Sequence, residues 1–335
     1  MSISARLKEE SCKMKALVAT KYGLPEVLRF KEVKKPSPND NEVLIKICAA
    51  SVNSWDWDLL RGKPLLTRIG GLFTPKYPIL GADIAGQVIA VGKNVKQFFP
   101  GDEVFGDISG AGWGGFAEYV CVGEDALALK SAHMTNKQAA AIPQAAVLAL
   151  QGLRYKGRIS NGQKVLLNGA GGGVGTFALQ IAKSFGAEVT AVDNSEKLAM
   201  LRSIGADHVM DYTKENFTEN GQQYDLILDV VAHRSIFDCK RSLKPKGRYV
   251  VIGGTTARII QFAFLGPLVS RMTKKKMGIL IHLPNQQDLN VIKELFEKGK
   301  IVPVIDKSYP LFQAADALRY FGEGQVKGKV VITMD

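Results

Sequence analysis

The chain has 335 residues, and 44 Lys and Arg residues against 32 Asp and Glu residues give it a formal net charge of +12. This length suits two domains rather than one small module, and a composition with 46% hydrophobic and 23% charged residues excludes a largely disordered chain. The positive charge is compatible with nucleic acid, an anionic membrane or an anionic small molecule, so it leaves the partner open.

The four cysteines, Cys12, Cys48, Cys121 and Cys239, are isolated in the sequence, which excludes a zinc ribbon and a disulfide-rich framework. Scattered thiols are typical of a reducing compartment, and we expect a cytoplasmic location. No apolar run reaches the ~18 residues that a membrane-spanning helix needs. Residues 1–13 mix Glu with Lys around no apolar centre, so they predict a frayed N-terminus or an alternative start rather than a secretory signal.

The first third of the chain predicts strands separated by turns. Runs rich in β-branched and aromatic residues lie at 15–20, 42–52, 83–92, 102–108 and 116–122. Gly, Pro and Asn separate these runs and supply the turn residues. We therefore expect a β-rich domain that ends near residue 137.

The pattern changes after residue 135. Residues 136–153 are rich in Ala and Leu and predict a helix with a Pro break. From residue 164 onwards, short apolar runs alternate with helical segments, which is typical of a parallel sheet with helical crossovers. The tail after the amphipathic segment 287–301 returns to strand-like sequence. We expect an α/β chain with one discontinuous domain, residues 1–137 and 284–335, and one inserted domain, residues 138–283.

A glycine-rich turn after the run KVLLN, residues 164–168, is the strongest local signal. It matches the GxGxxG register of dinucleotide-binding turns, with Ala170 in place of the first glycine. Glycines let the backbone approach a pyrophosphate, and the following helix offers free N–H groups. Thr176 after the last glycine excludes a nucleoside-triphosphate P-loop, while a turn that only packs a helix on a strand is the alternative. The residues expected to bind the cofactor here are Ala170, Gly171, Gly172, Gly173, Val174 and Gly175.

Asp193 ends the next strand-like run, 193 − 175 = 18 residues beyond the last glycine. A carboxylate at this place accepts the ribose hydroxyls of an adenosine and repels a 2′-phosphate, which favours NADH. Lys197 and Tyr212 could instead bind a 2′-phosphate and favour NADPH. Asp193 could also be the N-cap of the helix that follows.

Two common groups for polarising a substrate carbonyl are missing from the sequence. None of the nine tyrosines has a Lys four residues later, which excludes the Tyr–Lys pair of short-chain dehydrogenases. The four histidines, His133, His208, His233 and His282, are isolated, and we expect them on the surface or in loops rather than on a metal.

A series of motifs across residues 14–335 resembles the medium-chain dehydrogenase/reductase superfamily. The series includes AASVNSWDW (49–57), PILGADIAGQVIAVG (78–92), LLNGAGGGVG (166–175), IGADHVMDY (204–212) and GKVVI (328–332). It is most similar to the zinc-free, zeta-crystallin-like quinone oxidoreductase branch, and residues 280–311 favour a plant chloroplast-envelope group within that branch. The resemblance implies a GroES-like catalytic domain, a doubly wound Rossmann domain, NAD(P)H as cofactor, with NADPH favoured, and a homodimer.

The sequence departs from the zinc alcohol dehydrogenases of this superfamily at their metal ligands. Those enzymes carry zinc ligands, or residues next to zinc ligands, at positions that are Asn53, Ala82-Asp83 and Gln144 here. The resemblance therefore implies no metal. Asn53 is shared with quinone oxidoreductases, in which this residue faces nicotinamide and substrate. The Pro that follows it in that family is Ser54 here, which leaves the substrate preference open.

The resemblance implies hydride transfer from NAD(P)H to a quinone or an α,β-unsaturated carbonyl. The Asn53 amide is the expected hydrogen-bond donor to the developing enolate oxygen, and bracing a turn is its alternative role. Asp56 and Trp57 are further catalytic candidates. The residues expected to line the nicotinamide are Val230, Val231, Gly253 and Gly254.

Two other functions fit the same sequence: a zinc-free enzyme that oxidises alcohols, and a non-catalytic NAD(P)H-binding protein of crystallin or sensor type. Nucleic acid is not expected as a partner, because no nucleic-acid-binding module appears. Residues 258–276 join an apolar stretch to Lys274-Lys275-Lys276 and predict weak peripheral contact with an anionic membrane. An ordinary helix with a loop, or a dimer contact, is the alternative for this segment.

Overall fold

The computed structural model describes residues 12–334 and divides into two compact units. The first unit contains the residues up to Gln144, then Pro284–Lys293 and the residues from Ile305; the second contains Ala145–Leu283 and Glu294–Val304. The first unit thus extends past the expected boundary at residue 137, and residues 294–304 group with the second unit instead of the first. Residues 1–11, where most of the expected frayed N-terminus falls, lie outside the described residues.

The secondary structure follows the chain in three stretches. The first has β1 Lys13–Ala19, β2 Leu28–Lys34, β3 Glu42–Val52, α1 Ser54–Arg61, β4 Asp83–Val91, β5 Glu103–Asp107, β6 Tyr119–Gly123, β7 Leu127–Leu129 and α2 Asn136–Ala141. The second has α3 Pro143–Leu150, β8 Lys164–Asn168, α4 Gly173–Ser184, β9 Glu188–Asp193, α5 Ser195–Ser203, β10 His208–Asp211, β11 Tyr224–Asp229, α6 Ile236–Arg241, β12 Leu243–Val251, α7 Thr256–Met272 and β13 Lys276–Ile279. The third has α8 Gln286–Glu297, β14 Ile305–Pro310, α9 Ala314–Gly322 and β15 Lys329–Thr333. Across residues 12–334, no helix has both the length and the apolar character to span a bilayer.

The first unit is built mainly on antiparallel pairing, with β14 parallel to β15. β1 pairs with β2, and a seven-stranded sheet has the order β14-β15-β3-β4-β5-β7, with β6 pairing on β3. β3 is the centre of this sheet because it pairs with β15, β4 and β6, and its apolar residues are buried as a result. The tail strands β14 and β15 return to the sheet formed by the N-terminal strands. The GroES-like part of the expected fold class is confirmed.

The second unit is built on a six-stranded parallel sheet with the order β10-β9-β8-β11-β12-β13. Counted along the chain, this order is 3-2-1-4-5-6, which is the Rossmann arrangement. The two strands that flank β8 are β9 and β11. Each is buried at all but one of its six positions, as expected when helices cover both faces of a sheet. The order in which strands are added to the sheet reverses between β8 and β11, so the loops after these parallel strands flank the place where dinucleotides bind. The Rossmann part of the expected fold class is confirmed.

Each unit has a hydrophobic core of its own. Leu60, Phe116 and Leu318 are fully or almost fully buried in the core of the first unit. Tyr249 and Phe262 are buried in the core of the second, where their rings stack with centroids 5.2 Å apart. The loops that carry the candidate functional residues are therefore supported by packed sheets within each unit.

Candidate active site

The glycine-rich turn joins β8 to α4. Gly169 adopts a positive φ of 80°, which favours glycine, and Gly172 is the N-cap of α4 with no side chain to cap it. The first N–H groups of α4, at Gly173, Val174 and Gly175, have no carbonyl one turn earlier to bind. The start of α4 therefore offers hydrogen-bond donors and the positive end of the helix dipole to a phosphate.

Two glycines of this turn are needed for different reasons. A Cβ atom on Gly175 would lie 2.3 Å from the carbonyl oxygen of Gly169 and 2.5 Å from the Cα of Ala170, so the packing of α4 on β8 itself excludes a side chain. A Cβ atom on Gly172 would meet only the Gly169 oxygen, at 3.8 Å. The missing side chain of Gly172 leaves open space beside the helix start, and this space fits the pyrophosphate of a dinucleotide.

The first two residues expected to contact the cofactor are bound to β9. The Ala170 N–H donates to the carbonyl of Val192 at 3.1 Å, and the Gly171 N–H donates to Asp193 Oδ2 at 2.7 Å. These N–H groups hold the turn against β9. The donors left for a phosphate are those of the α4 start.

The three residues expected at the ribose end of the cofactor come together beyond β9. Lys197 Nζ lies 3.6 Å from Asp193 Oδ1, and the two side chains are only 9% and 8% exposed. The backbone N–H of Tyr212 donates to the carbonyl of Asp193 at 3.2 Å, while its side chain is exposed. The N-cap of α5 is Asn194, so the alternative N-cap role for Asp193 is not observed.

The residues expected to line the nicotinamide meet at the carboxyl edge of the parallel sheet. A Cβ atom on Gly169 would lie 3.0 Å from Val231, and one on Gly253 would lie 2.6 Å from the carbonyl oxygen of Val230. Gly254 has a φ of 141°, which again favours glycine, and forms a parallel bridge with Ala232. The ends of β8, β11 and β12 are thus in contact, and their role towards nicotinamide stays a prediction.

A buried carboxylate, Asp229, supports this edge and was missed by the sequence analysis. It accepts hydrogen bonds from Asn168 Nδ2 at 2.8 Å, the Tyr249 hydroxyl at 2.5 Å and the Val231 N–H at 3.2 Å. Burial raises the pKa of the Asp229 carboxyl. An acidic residue at the end of the apolar run YDLILD was the available signal.

In the first unit, Asn53 lies between β3 and α1 and is 6% exposed. Its Nδ2 donates to Asp83 Oδ2 at 3.0 Å, while the Lys329 ammonium donates to Asn53 Oδ1. An ammonium only donates hydrogen bonds and an ionised carboxylate only accepts them. The amide oxygen of Asn53 therefore faces Lys329, and its amide nitrogen faces Asp83. The amide nitrogen carries two hydrogens, and the hydrogen bond to Asp83 uses one of them.

Asp83 is the centre of the network and is fully buried. Its Oδ2 also accepts from Lys329 Nζ at 3.3 Å and from the Ser51 hydroxyl at 3.1 Å, and its Oδ1 accepts from the Gln144 N–H at 2.9 Å. Burial raises the pKa of the Asp83 carboxyl, and the Lys329 ammonium opposes this rise. Lys329 is the second functional residue that the sequence analysis missed, although it lies in the quoted motif GKVVI.

The other two catalytic candidates lie outside this network. Both carboxylate oxygens of Asp56 accept backbone N–H groups, from Asn53 at 2.8 Å and from Gly81 at 2.8 Å. Burial raises the pKa of Asp56 to about 7. The Trp57 ring packs against Gly322. Asp56 therefore braces the start of α1, and the catalytic roles expected for Asp56 and Trp57 stay predictions.

The residues at the zinc-ligand positions of related enzymes do not fit a zinc ion. Asn53 Oδ1 and Asp83 Oδ2 are both bound to the ammonium of Lys329, whose charge repels a metal cation. Gln144 contributes its backbone N–H, which cannot coordinate a metal, and Ala82 has no donor atom. In the part of the chain that the structure describes, no group of three or more His, Cys, Asp or Glu side chains could hold a metal ion.

We predict that Gly175→Ala destabilises the protein by about 1–3 kcal/mol, because its Cβ has no space between β8 and α4. Gly172→Ala should leave the thermal unfolding temperature nearly unchanged, while weakening dinucleotide binding about tenfold or more, since its Cβ enters the pyrophosphate space. Thermal unfolding and NAD(P)H titration of both purified variants check these outcomes. An equal loss of stability in the two variants would contradict the inference that Gly175 is needed for packing and Gly172 for cofactor binding.

Comparison with known proteins finds two family models that match separate parts of the chain. The alcohol dehydrogenase GroES-like domain family matches residues 39–132, and the zinc-binding dehydrogenase family matches residues 204–332. Both matches fall on parts of the chain whose folds are described above.

Individual relatives match over almost the whole chain. The 2-methylene-furan-3-one reductase of Solanum lycopersicum is 36% identical over 330 residues, which cover 95% of this chain and 79% of that protein. The chloroplast envelope quinone oxidoreductase homolog of Arabidopsis thaliana is 32% identical over 332 residues, covering 95% and 98%. The solved quinone oxidoreductase from Coxiella burnetii has a TM-score of 0.86 at 28% identity and covers 96% of this chain and all of that one. The resemblance drawn from the motifs is confirmed, and the chain belongs to the medium-chain dehydrogenase/reductase superfamily.

Proposed function

We propose that this protein reduces α,β-unsaturated ketones or aldehydes, or quinones, by hydride transfer from NAD(P)H without a metal ion. The observation that carries this proposal is the Asn53 amide, which is oriented by Lys329 and Asp83 and has a second N–H beyond the one that binds Asp83. The names of the relatives, an enone reductase and a quinone oxidoreductase, support the same substrate classes.

The chemistry requires a donor at the substrate oxygen. A bound nicotinamide cofactor would supply the hydride. When hydride reaches the β-carbon of an enone, negative charge develops on the carbonyl oxygen, and the Asn53 N–H donates a hydrogen bond to that oxygen. Water then protonates the α-carbon, so the product gains one hydride and one proton.

Lys329 acts through Asn53 as a positioning residue. An ammonium hydrogen-bonded to the amide oxygen draws electron density towards that oxygen, which makes the amide N–H a stronger donor. Asp83 binds the other N–H and balances the lysine charge inside the unit. The Asn53 amide, polarised by Lys329, thus takes the role of donor to the substrate oxygen that a metal has in zinc enzymes.

For the cofactor we propose a preference for NADH. The Asp193 carboxylate lies at the end of β9, where a 2′-phosphate would meet its negative charge. Lys197, which could bind such a phosphate, is already paired with this carboxylate. Tyr212 stays available at the same place through its exposed side chain.

Several finer expectations stay predictions. They are the homodimer, weak peripheral contact with a membrane and a cytoplasmic location. The segment expected to touch a membrane, residues 258–276, forms most of α7 and leads into β13.

We predict that the purified protein oxidises NAD(P)H when enones or quinones are added, and that Asn53→Ala lowers this turnover about a hundredfold. The expected loss reflects one missing donor at the developing oxyanion, so the Michaelis constant for the cofactor should stay nearly unchanged. Steady-state kinetics with a panel of enones and quinones measure both quantities.

Asn94→Ala is the matched control, because Asn94 is an exposed asparagine of the same unit whose side chain donates to a surface neighbour, Asn41. Cofactor binding without turnover of any substrate would favour the non-catalytic alternative. Activity seen only as alcohol oxidation would favour the zinc-free dehydrogenase. Full enone turnover by Asn53→Ala would remove Asn53 from the mechanism.

We predict that Lys329→Met lowers kcat for enones about tenfold to a hundredfold, which is the size of one charge-assisted hydrogen bond. Adding Lys329→Met to Asn53→Ala should cost little more, because Lys329 works through that amide. Lys329→Arg should restore part of kcat by keeping the charge. A double-mutant cycle of Lys329→Met and Asn53→Ala, measured on kcat and on the Michaelis constant for the cofactor, checks whether Lys329 acts through Asn53.

Lys130→Met controls for the loss of a buried lysine, since Lys130 is also buried in the first unit but pairs with Glu103 at 3.2 Å. Both lysine variants should lose stability, and only Lys329→Met should lose kcat beyond that effect. Additive losses in the double variant would show that Lys329 does not act through Asn53.

We predict that Asp193→Asn raises the ratio of kcat/KM for NADPH to that for NADH by about tenfold. The amide oxygen of Asn can still accept the Gly171 N–H, while the negative charge is removed and Lys197 becomes free for a 2′-phosphate. Lys197→Met should move the same ratio in the opposite direction. A wild-type enzyme that already prefers NADPH strongly would refute the role given to Asp193.

A further inference from the structure

A buried carboxylate at the carboxyl edge of the parallel sheet is held by neutral groups. Asp229, the last residue of β11, is only 1% exposed. Its hydrogen-bond donors are the Asn168 amide, the Tyr249 hydroxyl and the Val231 N–H, and none of the three carries a positive charge. The hydrogen bonds therefore satisfy the carboxylate oxygens without neutralising their charge.

The two other buried carboxylates of the candidate site differ from Asp229 in this respect. Lys329 Nζ lies 3.3 Å from Asp83, and Lys197 Nζ lies 3.6 Å from Asp193. Within residues 12–334, no Lys or Arg side chain forms an ion pair with Asp229. The field of this charge is also weakly screened, because protein and not water surrounds the carboxylate.

The hydrogen bonds of Asp229 favour its ionised form. Oδ1 accepts from Asn168 and Val231, and Oδ2 accepts from Tyr249. A carboxyl group that accepts several donors is stabilised as the anion. Burial raises the pKa of the Asp229 carboxyl, and its donors, together with the charge of His233, oppose this rise. We therefore expect a negative charge on Asp229 at neutral pH.

The topology of the sheet places this charge on one side of the proposed cofactor site. β9, which ends at Asp193, lies on one side of β8, and β11 lies on the other. A dinucleotide bound at the switch point has its adenosine on the β9 side, so its nicotinamide is on the β11 side. Asp229 also binds the N–H of Val231, one of the residues expected to line the nicotinamide.

The nicotinamide ring changes its charge in the proposed reaction. The ring is neutral in NADH, and the loss of hydride leaves it positively charged in NAD⁺. A fixed negative charge nearby attracts the ring of NAD⁺ and has little effect on the ring of NADH. The same charge stabilises the positive charge that develops on the ring while the hydride leaves.

We propose that the charge of Asp229 favours the oxidised, positively charged nicotinamide at this site and thereby makes bound NADH a stronger hydride donor. Asp229 acts through its charge and not by contact, since its side chain is buried within the second unit. This inference rests on the proposed function, because it requires a nicotinamide cofactor at the carboxyl edge of the sheet.

The experiment measures the dissociation constants of NAD⁺, NADH and ADP-ribose for the full chain by titration, with no substrate present. Asp229→Asn removes the charge and keeps the size of the side chain. The ratio of Kd for NAD⁺ to Kd for NADH should rise about tenfold, because only NAD⁺ loses the attraction of a charge. ADP-ribose has no nicotinamide ring, so its Kd should stay nearly unchanged. NADP⁺, NADPH and 2′-phospho-ADP-ribose replace these ligands if the wild type binds them more tightly.

Asp225→Asn is the matched control, because Asp225 lies at the other end of β11 and pairs with Lys244 at 2.7 Å. Four residues of strand separate Asp225 from Asp229 by about 13 Å, so this variant should leave the ratio unchanged. Asp229→Ser is a second variant without the charge, and it should raise the ratio as Asp229→Asn does, even where it lowers the thermal unfolding temperature.

Two results would overturn the role given to Asp229. Equal weakening of all three ligands in the variants without its charge would show that Asp229 only supports the structure of the site. An unchanged ratio in a variant that still binds both cofactors would show that its charge does not reach the nicotinamide. A wild-type protein that binds neither NAD(H) nor NADP(H) would overturn the proposed function itself, and this inference with it.

Discussion

The buried pair of Lys329 and Asp83 is the interaction on which the chemistry proposed for the first unit depends. Two charges removed from water are stable only when hydrogen bonds satisfy their remaining atoms. Here Ser51, Asn53 and the Gln144 backbone complete the environment of Asp83, with side chains that are buried. The same arrangement that satisfies the ion pair holds the Asn53 amide in one orientation. Structural stability and the presentation of a hydrogen-bond donor thus come from a single set of contacts.

Carboxylates have a comparable structural use in the second unit. Asp193 at the end of β9 binds the Gly171 N–H of the glycine-rich turn, and Asp229 at the end of β11 binds groups from β8, β12 and the following loop. Each carboxylate joins loops that would otherwise be free to move at the carboxyl edge of the sheet. The N–H groups at the start of α4 are left to bind a phosphate, because the turn itself is tied down by its first residues.

Much of the fold could be predicted from the sequence because its signals are local. The apolar runs of β8, β9 and β11 and the glycines between β8 and α4 lie within short stretches, so their period and turn residues are visible without tertiary contacts. β2 was missed because it is an exposed, charged strand that pairs only with β1. The domain boundary was less predictable, because residues 294–304 leave the first unit without any change in composition.

The sequence by itself determined the family, the two fold types and the dinucleotide turn, and it singled out Asn53 as a candidate, since each motif behind these inferences is a short stretch of chain. Tertiary structure decided what those residues do. Lys329 reaches Asn53 across 276 positions because β15 pairs with β3 in one register. Asp56 is occupied by two backbone N–H groups, and one of them comes from Gly81, which lies 25 positions away in the chain. The charge of +12 was visible from the start. Four of the basic side chains line one cavity, because the folded chain places Lys156 and Arg158 beside β12 and β13.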